Sequence, residues 1–244
     1  MNLIETVKLN NRQKAIGVIL LFPWYLYFAP TILNFLINLY LMYISNAYSA
    51  DFVNIIYNML IGIASAIPII FVLKDFLIEN WKIFKDKFLE NIIWVLTIGL
   101  VVSYGLAFVG TAIETLILGS QASDATNQVF VESLVKSNLP LMFIQSVILA
   151  PFVEEMLFRG VIFNTLRQKN KVLAHILSAF LFGLLHVYTY ILAGDMTEWI
   201  KLIPYMATGL SLSYVYEKRQ TIFASILLHM AKNLIAVLSI GLLI

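Results

Sequence analysis

Four side chains in this sequence have the types and spacing for water-mediated hydrolysis: Glu154, His186, His229 and Asn233. A carboxylate can serve as a general base, an imidazole exchanges a proton near neutral pH, and paired donors can hold an oxyanion. Glu154 is followed by Glu155 and then by Arg159. At i, i+4 spacing Glu155 and Arg159 meet on one helical face, while Glu154 points about 100° away. One carboxylate is thereby neutralised and the other left available. His229 and Asn233 are also four apart and share a face. The parts fit amide hydrolysis without a covalent nucleophile: Glu154 takes the proton of a water that His186 also orients, and His229 with Asn233 stabilises the tetrahedral oxyanion. A divalent metal such as zinc, held by Glu154, His186 and His229 and activating its own water, is the alternative. Asn is an unusual zinc ligand and the H-E-x-x-H signature is absent, so a metal-free mechanism without a cofactor is favoured.

The elements that must position these residues are membrane spans. The chain has 244 residues, of which 61% are hydrophobic and 12% charged, against about 25% charged in soluble domains. A soluble enzyme, a disordered protein and a nucleic-acid binder are set aside, and the lipid bilayer is the expected partner. Zero Cys excludes disulfides, a thiol nucleophile and cysteine metal sites. Seven segments reach or approach the roughly 20 apolar residues needed to cross a bilayer: Ala15 to Ile44, Val53 to Leu73, Ile92 to Leu118, Leu139 to Phe163, Val172 to Ala193, Trp199 to Tyr216 and Thr221 to Leu243. The first carries Pro23 and Pro30, which can kink it. If the spans alternate, Lys8, Arg12, Lys14, Lys74, Lys82, Lys85, Lys87, Arg167, Lys169, Lys171, Lys218 and Arg219 fall on one side, and only Lys136 and Lys201 on the other. Cytoplasmic loops collect Lys and Arg, so the N-terminus is expected inside and the C-terminus outside.

The basic start and long apolar run exceed the 7 to 15 residues of a signal-peptide core, so the segment is expected to be retained. Between spans two and three, Leu77, Trp81, Phe84 and Phe88 share one face with Lys82 and Asp86 opposite, as in an interfacial amphipathic helix on the cytoplasmic surface. Gly119 to Asn138 reads as a polar loop, either a lid or a connector. No repeat or linker divides the chain. The expected architecture is an all-α polytopic bundle of about seven spans, a single integral membrane domain over residues 1–244, with spans lacking motifs in 1–138 and a motif-bearing catalytic core in 139–243.

An ionisable residue at mid-bilayer costs about 2.5 to 3.5 kcal/mol, and here the cost is concentrated in the C-terminal half. At 1.5 Å per residue from the cytoplasmic end of each span, Glu154 lies about 14 to 18 Å deep, His186 about 21 Å, His229 about 12 Å and Asn233 about 18 Å. Three helices therefore bring four polar residues near one plane. Glu114 and His175 lie close to span ends and are expected to be interfacial, and Lys232 is expected in a protein-lined crevice. Arg159 and His229 toward the cytoplasmic end favour access from that side. A serine design is disfavoured because Gly209-Leu210-Ser211-Leu212-Ser213 lacks the second glycine of a nucleophile elbow, and no Asp lies within a span for an aspartyl design.

Three motifs stand in order on hydrophobic segments: Glu154-Glu155-Met156-Leu157-Phe158-Arg159, Phe182-Gly183-Leu184-Leu185-His186, and His229-Met230-Ala231-Lys232-Asn233. With these the sequence resembles the CPBP intramembrane proteases, also called the Abi or CAAX protease and bacteriocin-processing family, over roughly Leu139 to Leu243. The resemblance implies an all-helical membrane endopeptidase in which Glu154 and His186 activate water and His229 and Asn233 support the oxyanion. It implies a hydrophobic peptide or membrane-protein substrate and a multi-pass place in a bacterial cell membrane; the family has also been described as metalloproteases. Glu155, Arg159 and Phe182 are expected as supporting residues. The rival readings are a catalytically silent scaffold or bacteriocin-immunity interaction protein of the same fold, and an ion-coupled transporter. Oligomeric state is left open by the sequence.

Overall fold

The computed structural model describes residues 7–44, 47–119 and 122–242. Leu243, expected at the end of the last span, and Ser120 and Gln121 of the expected loop lie outside these, as do the first six residues. The described residues form nine helical stretches and no strand: α1 Asn11–Tyr43, α2 Ala50–Val72, α3 Lys74–Asp86, α4 Phe88–Leu118, α5 Thr126–Ser137, α6 Leu139–Arg167, α7 Lys171–Leu192, α8 Glu198–Arg219 and α9 Ile222–Gly241. The chain is an all-α polytopic bundle.

α1 begins on a capping box. Asn10 Oδ1 accepts the Gln13 N–H at 2.9 Å, and Gln13 Oε1 accepts the Asn10 N–H at 3.1 Å. The helix runs through both prolines as one stretch of 33 residues. It widens into π-helical turns over Gly17–Leu21 and Trp24–Phe28, which absorb the missing N–H groups of Pro23 and Pro30. At Gly17 an added Cβ would lie 2.7 Å from Val161 Cγ1, so only glycine lets α1 approach α6 this closely.

Six helices, not seven, are both long and apolar enough to cross a membrane. The expected sixth span is present as α8, 22 residues long and so about 33 Å, but Glu198, Lys201, Glu217, Lys218 and Arg219 lower its hydropathy. It tolerates them because α4 and α7 enclose it. A Cβ on Gly209 would sit 2.9 Å from Ala179 Cα, and one on Gly110 would sit 3.0 Å from Pro204 Cα. Small residues bring backbones together where lipid supplies no hydrophobic drive between helices.

α3 is amphipathic as expected, but its buried face is Phe76, Asn80 and Phe84; of the expected face, Trp81 is exposed and Phe88 begins α4. It also caps α9: Asn80 Oδ1 accepts the Ile222 N–H at 2.8 Å, and Thr221 Oγ1 donates to the Asn80 carbonyl at 2.8 Å. At the same end Lys14 Nζ meets Gln168 Oε1 at 2.8 Å, Arg167 pairs with Glu217 at 3.0 Å and Arg219 with Glu90 at 2.7 Å. These contacts join the starts of α1 and α4 to the ends of α6 and α8, as alternating spans require.

The expected loop before α6 is largely a helix. Residues 126–137 form α5, with Leu134 and Val135 buried. Its apolar residues repeat at helical spacing beneath a polar overall composition, which is why the segment reads as a loop by composition alone.

Candidate active site

α6 places the acidic pair. A short α-helical segment, Ala150–Glu155, lies between π-helical stretches at Phe143–Leu149 and Met156–Phe163. Pro151 breaks the regular ladder, and wide turns accommodate the break. In this geometry Glu154, Glu155 and Arg159 are all buried, although they leave the helix in different directions.

Glu155 is held on every side. Its carboxylate accepts from Arg159 Nη1 at 2.9 Å, from the Ser225 hydroxyl and from His229 Nδ1 at 3.0 Å. Arg159 Nη2 donates to the Gly209 carbonyl at 2.8 Å, and the guanidinium lies 4.6 Å from the Phe182 ring centroid. Both ion-pair side chains are fully buried. Glu154 differs sharply: Oε1 accepts one long hydrogen bond, from the Tyr25 hydroxyl at 3.5 Å, and Oε2 has no protein hydrogen bond. His229 Nε2 lies 4.0 Å from that oxygen. The expectation that one carboxylate is neutralised and the other left available matches this geometry.

His186 Nδ1 faces the Phe182 carbonyl at 2.8 Å. A carbonyl only accepts, so Nδ1 carries the hydrogen and Nε2 of the neutral ring is an acceptor. The ring stacks on Tyr205, centroids 4.5 Å apart at 21°. With Nδ1 of His229 donating to Glu155, its Nε2 is an acceptor in the neutral ring and a donor only in the imidazolium. Asn233 Nδ2 donates to the Ser146 carbonyl at 2.7 Å, which fixes the amide and leaves its second N–H. Phe182 packs edge-on against Phe158 and His229 and lies 4.8 Å from His186; it sets both imidazoles.

Glu154, His186, His229 and Asn233 line one cavity of about 340 Å³, together with Tyr25 of α1 and Gln128 of α5. The cavity runs from Glu154 past Met142 and Val237 to Ile240, under α5. It therefore extends toward the end of the bundle opposite the basic one. The expectation of access from the basic side rested on depth counted along single helices, which says nothing of which helices stand apart.

The remaining polar residues lie elsewhere. His175 Nδ1 meets Ser213 Oγ at 2.7 Å, and Ser211 Oγ meets Ser103 Oγ at 2.8 Å; all three serines are fully buried. Lys232 Nζ donates to Thr208 Oγ1 at 3.0 Å, with the Tyr104 ring 5.6 Å away, a protein-lined crevice as expected. Glu114 is 9% exposed and stands four residues from the end of α4. Sequence reasoning missed Tyr25, Tyr205 and Ser225. Ser225 stands four residues before His229 and so on its face, a readable signal; a tyrosine within an apolar span gives none.

As a metal set, Glu154, His186 and His229 share one cavity, and the Nδ1 atom of each ring donates to a protein acceptor, which leaves both Nε2 atoms unengaged as in a metal-ligating histidine. Among the described residues no group of three or more His, Asp or Glu stands close enough together to hold an ion.

Residues 136–235 match the family model described as "Type II CAAX prenyl endopeptidase Rce1-like". Among curated proteins, the chain is 27% identical over 155 residues to "Putative membrane peptidase YdiL" of Bacillus subtilis (strain 168), covering 63% of this chain and 58% of that protein. It is 28% identical over 159 residues to "UPF0177 protein YxdF" of Lactococcus lactis subsp. lactis (strain IL1403), 64% of this chain and 78% of that one. It is 28% identical over 242 residues to an uncharacterized protein of Mycoplasma capricolum subsp. capricolum, 93% of this chain and 68% of that one. No solved structure matches it. The three motifs fall inside the matched residues, so the resemblance to the CPBP group stands, and this multi-pass membrane protein is similar to the Rce1-like family over residues 136–235.

Proposed function

We propose that this protein is an intramembrane endopeptidase that hydrolyses a peptide bond of a hydrophobic or membrane-associated peptide. The observation that carries the reading is the asymmetry of the acidic pair: Glu155 is saturated by Arg159, Ser225 and His229, whereas Glu154 faces the cavity with one long hydrogen bond. A base must be free to take a proton; a positioning group must not move. One relative, named "Putative membrane peptidase YdiL", and the family model, described as a prenyl endopeptidase, support the class.

In the proposed mechanism Glu154 removes a proton from water, and His186 Nε2 accepts the second hydrogen and aims the oxygen. The water oxygen bonds to the scissile carbonyl carbon, and the carbonyl electron pair moves onto oxygen. The Asn233 amide N–H and His229 Nε2–H, the latter in its imidazolium form next to Glu155, hold that oxyanion. Collapse re-forms the carbonyl and breaks the C–N bond, while Glu154 returns its proton to the leaving amine. No cofactor takes part. Tyr25, hydrogen-bonded to Glu154, orients the carboxylate.

The test is purified protein in detergent with a panel of hydrophobic peptides, compared with Glu154→Ala and repeated with a chelator. The proposal expects cleavage that the variant loses and the chelator leaves intact. Cleavage retained by Glu154→Ala overturns it; cleavage abolished by chelation overturns the metal-free mechanism. Full cellular function of Glu154→Ala without any cleavage would favour the scaffold reading.

A further inference from the structure

A second cavity, of about 530 Å³, lies between α4, α8 and the start of α5. Its wall includes Gln128 and Tyr205, which also line the cavity holding Glu154. The two spaces therefore share a partition of two side chains. Charges of both signs face the second cavity: Glu114 from α4, Asp124 from the segment before α5, and Lys201 from α8.

Lys201 is already satisfied. It is 5% exposed, and its Nζ donates to Glu198 Oε1 at 3.2 Å and to the Asp124 carbonyl at 3.3 Å. Glu198, fully buried, also accepts from the Thr126 backbone N–H at 3.0 Å and hydroxyl at 2.7 Å. This pair anchors α5 to α8 through Glu198 Oε1, while Glu198 Oε2 is buried without a hydrogen bond. Glu114 stands apart from these hydrogen bonds. It is 9% exposed, lines the cavity, and accepts no hydrogen bond from any described residue. Its carboxylate oxygens open onto the cavity, where a ligand that supplies N–H donors and positive charge gains charge-assisted hydrogen bonds. The hydroxyls of Thr111 and Thr115 around it offer further acceptors, whereas Thr208 already accepts from Lys232.

We propose that this second cavity binds a cationic group of the peptide substrate, a lysine or arginine side chain or a free α-amino group, with Glu114 as its counter-ion. It is a specificity site: the scissile bond lies at Glu154, and the chain passes the Gln128–Tyr205 partition to place its cation against Glu114. This rests on the peptidase reading for the identity of the ligand as a peptide, but binding can be measured without turnover.

The experiment uses fluorescein-labelled twelve-residue peptides of leucine and alanine bearing one lysine at successive positions, with matched norleucine and glutamate series. Binding to the full-length Glu154→Gln protein in detergent is read by anisotropy. The proposal expects one or two positions at which lysine binds at least tenfold tighter than norleucine. That gain is lost in the Glu114→Gln background and reversed in favour of glutamate by Glu114→Lys, while norleucine peptides bind all three proteins alike. No lysine preference at any position, or a preference that survives Glu114→Gln, overturns it. Variants that elute as folded monodisperse protein but lose norleucine binding as well also count against it, since Glu114 would then be structural. Failure of the peptidase reading shows separately, as binding without cleavage by the wild-type protein.

Discussion

The two halves of the molecule solve the problem of living in lipid in opposite ways. α1, α2 and α4 keep only 17%, 28% and 17% of their most apolar windows buried, whereas α6, α7 and α9 bury 50%, 33% and 39%. The first group turns side chains such as Phe71, Phe108 and Leu116 outward, where burial among other helices would gain little over contact with acyl chains. The second group turns inward because it carries Glu154, Glu155, Arg159, His186 and His229, which lipid would reject. Polar chemistry, rather than hydrophobicity, therefore dictates which helices form the centre. The halves are not independent, because α1 contributes Tyr25 to Glu154 and α4 contributes the surface that hides α8.

The sharpest way to test this division is to strike neighbours on α6. Glu154→Gln should cut turnover by about 10² to 10⁴-fold, the range of a lost general base, and leave thermal stability in detergent near wild type. Arg159→Ala should instead destabilise by about 3 to 5 kcal/mol, because it leaves Glu155 buried without its cation; the drop is read as a lower thermal transition. Gly209→Val pushes a side chain into the Ala179 backbone and should cost about 1 to 3 kcal/mol by overpacking, measured the same way. Tyr25→Phe removes one hydrogen bond to Glu154, worth about 0.5 to 1.5 kcal/mol, and should lower kcat a few-fold with KM unchanged. Phe108→Ala, on the lipid side, should stay within about 0.5 kcal/mol of wild type. A large effect there would erase the contrast between the halves.

Much of this was legible in the sequence because the bilayer makes polar residues conspicuous. Glu154, Glu155, Arg159, His186, His229 and Asn233 stood out by their cost, and their i, i+4 spacings foretold the Glu155–Arg159 pair. What hid was whatever looked ordinary. Tyr25 is one of many aromatics in apolar spans. α5 was disguised by a polar composition that its buried Leu134 and Val135 contradict. The enclosed position of α8 depends on Gly110, Gly183 and Gly209 meeting partners far away in the chain, and no local pattern announces that. The side on which the cavity lies depends on the separation of helices, which a count of residues from one end cannot supply.

The central claim is that Glu154 and His186, from α6 and α7, act on the same water. A double-mutant cycle tests it most directly, with kcat/KM measured for the wild type, Glu154→Gln, His186→Ala and the double variant on one cleaved peptide. Groups that act as a unit are strongly non-additive, so the account predicts that the double variant loses about as much as Glu154→Gln alone. A double loss equal to the product of the two single losses would contradict it.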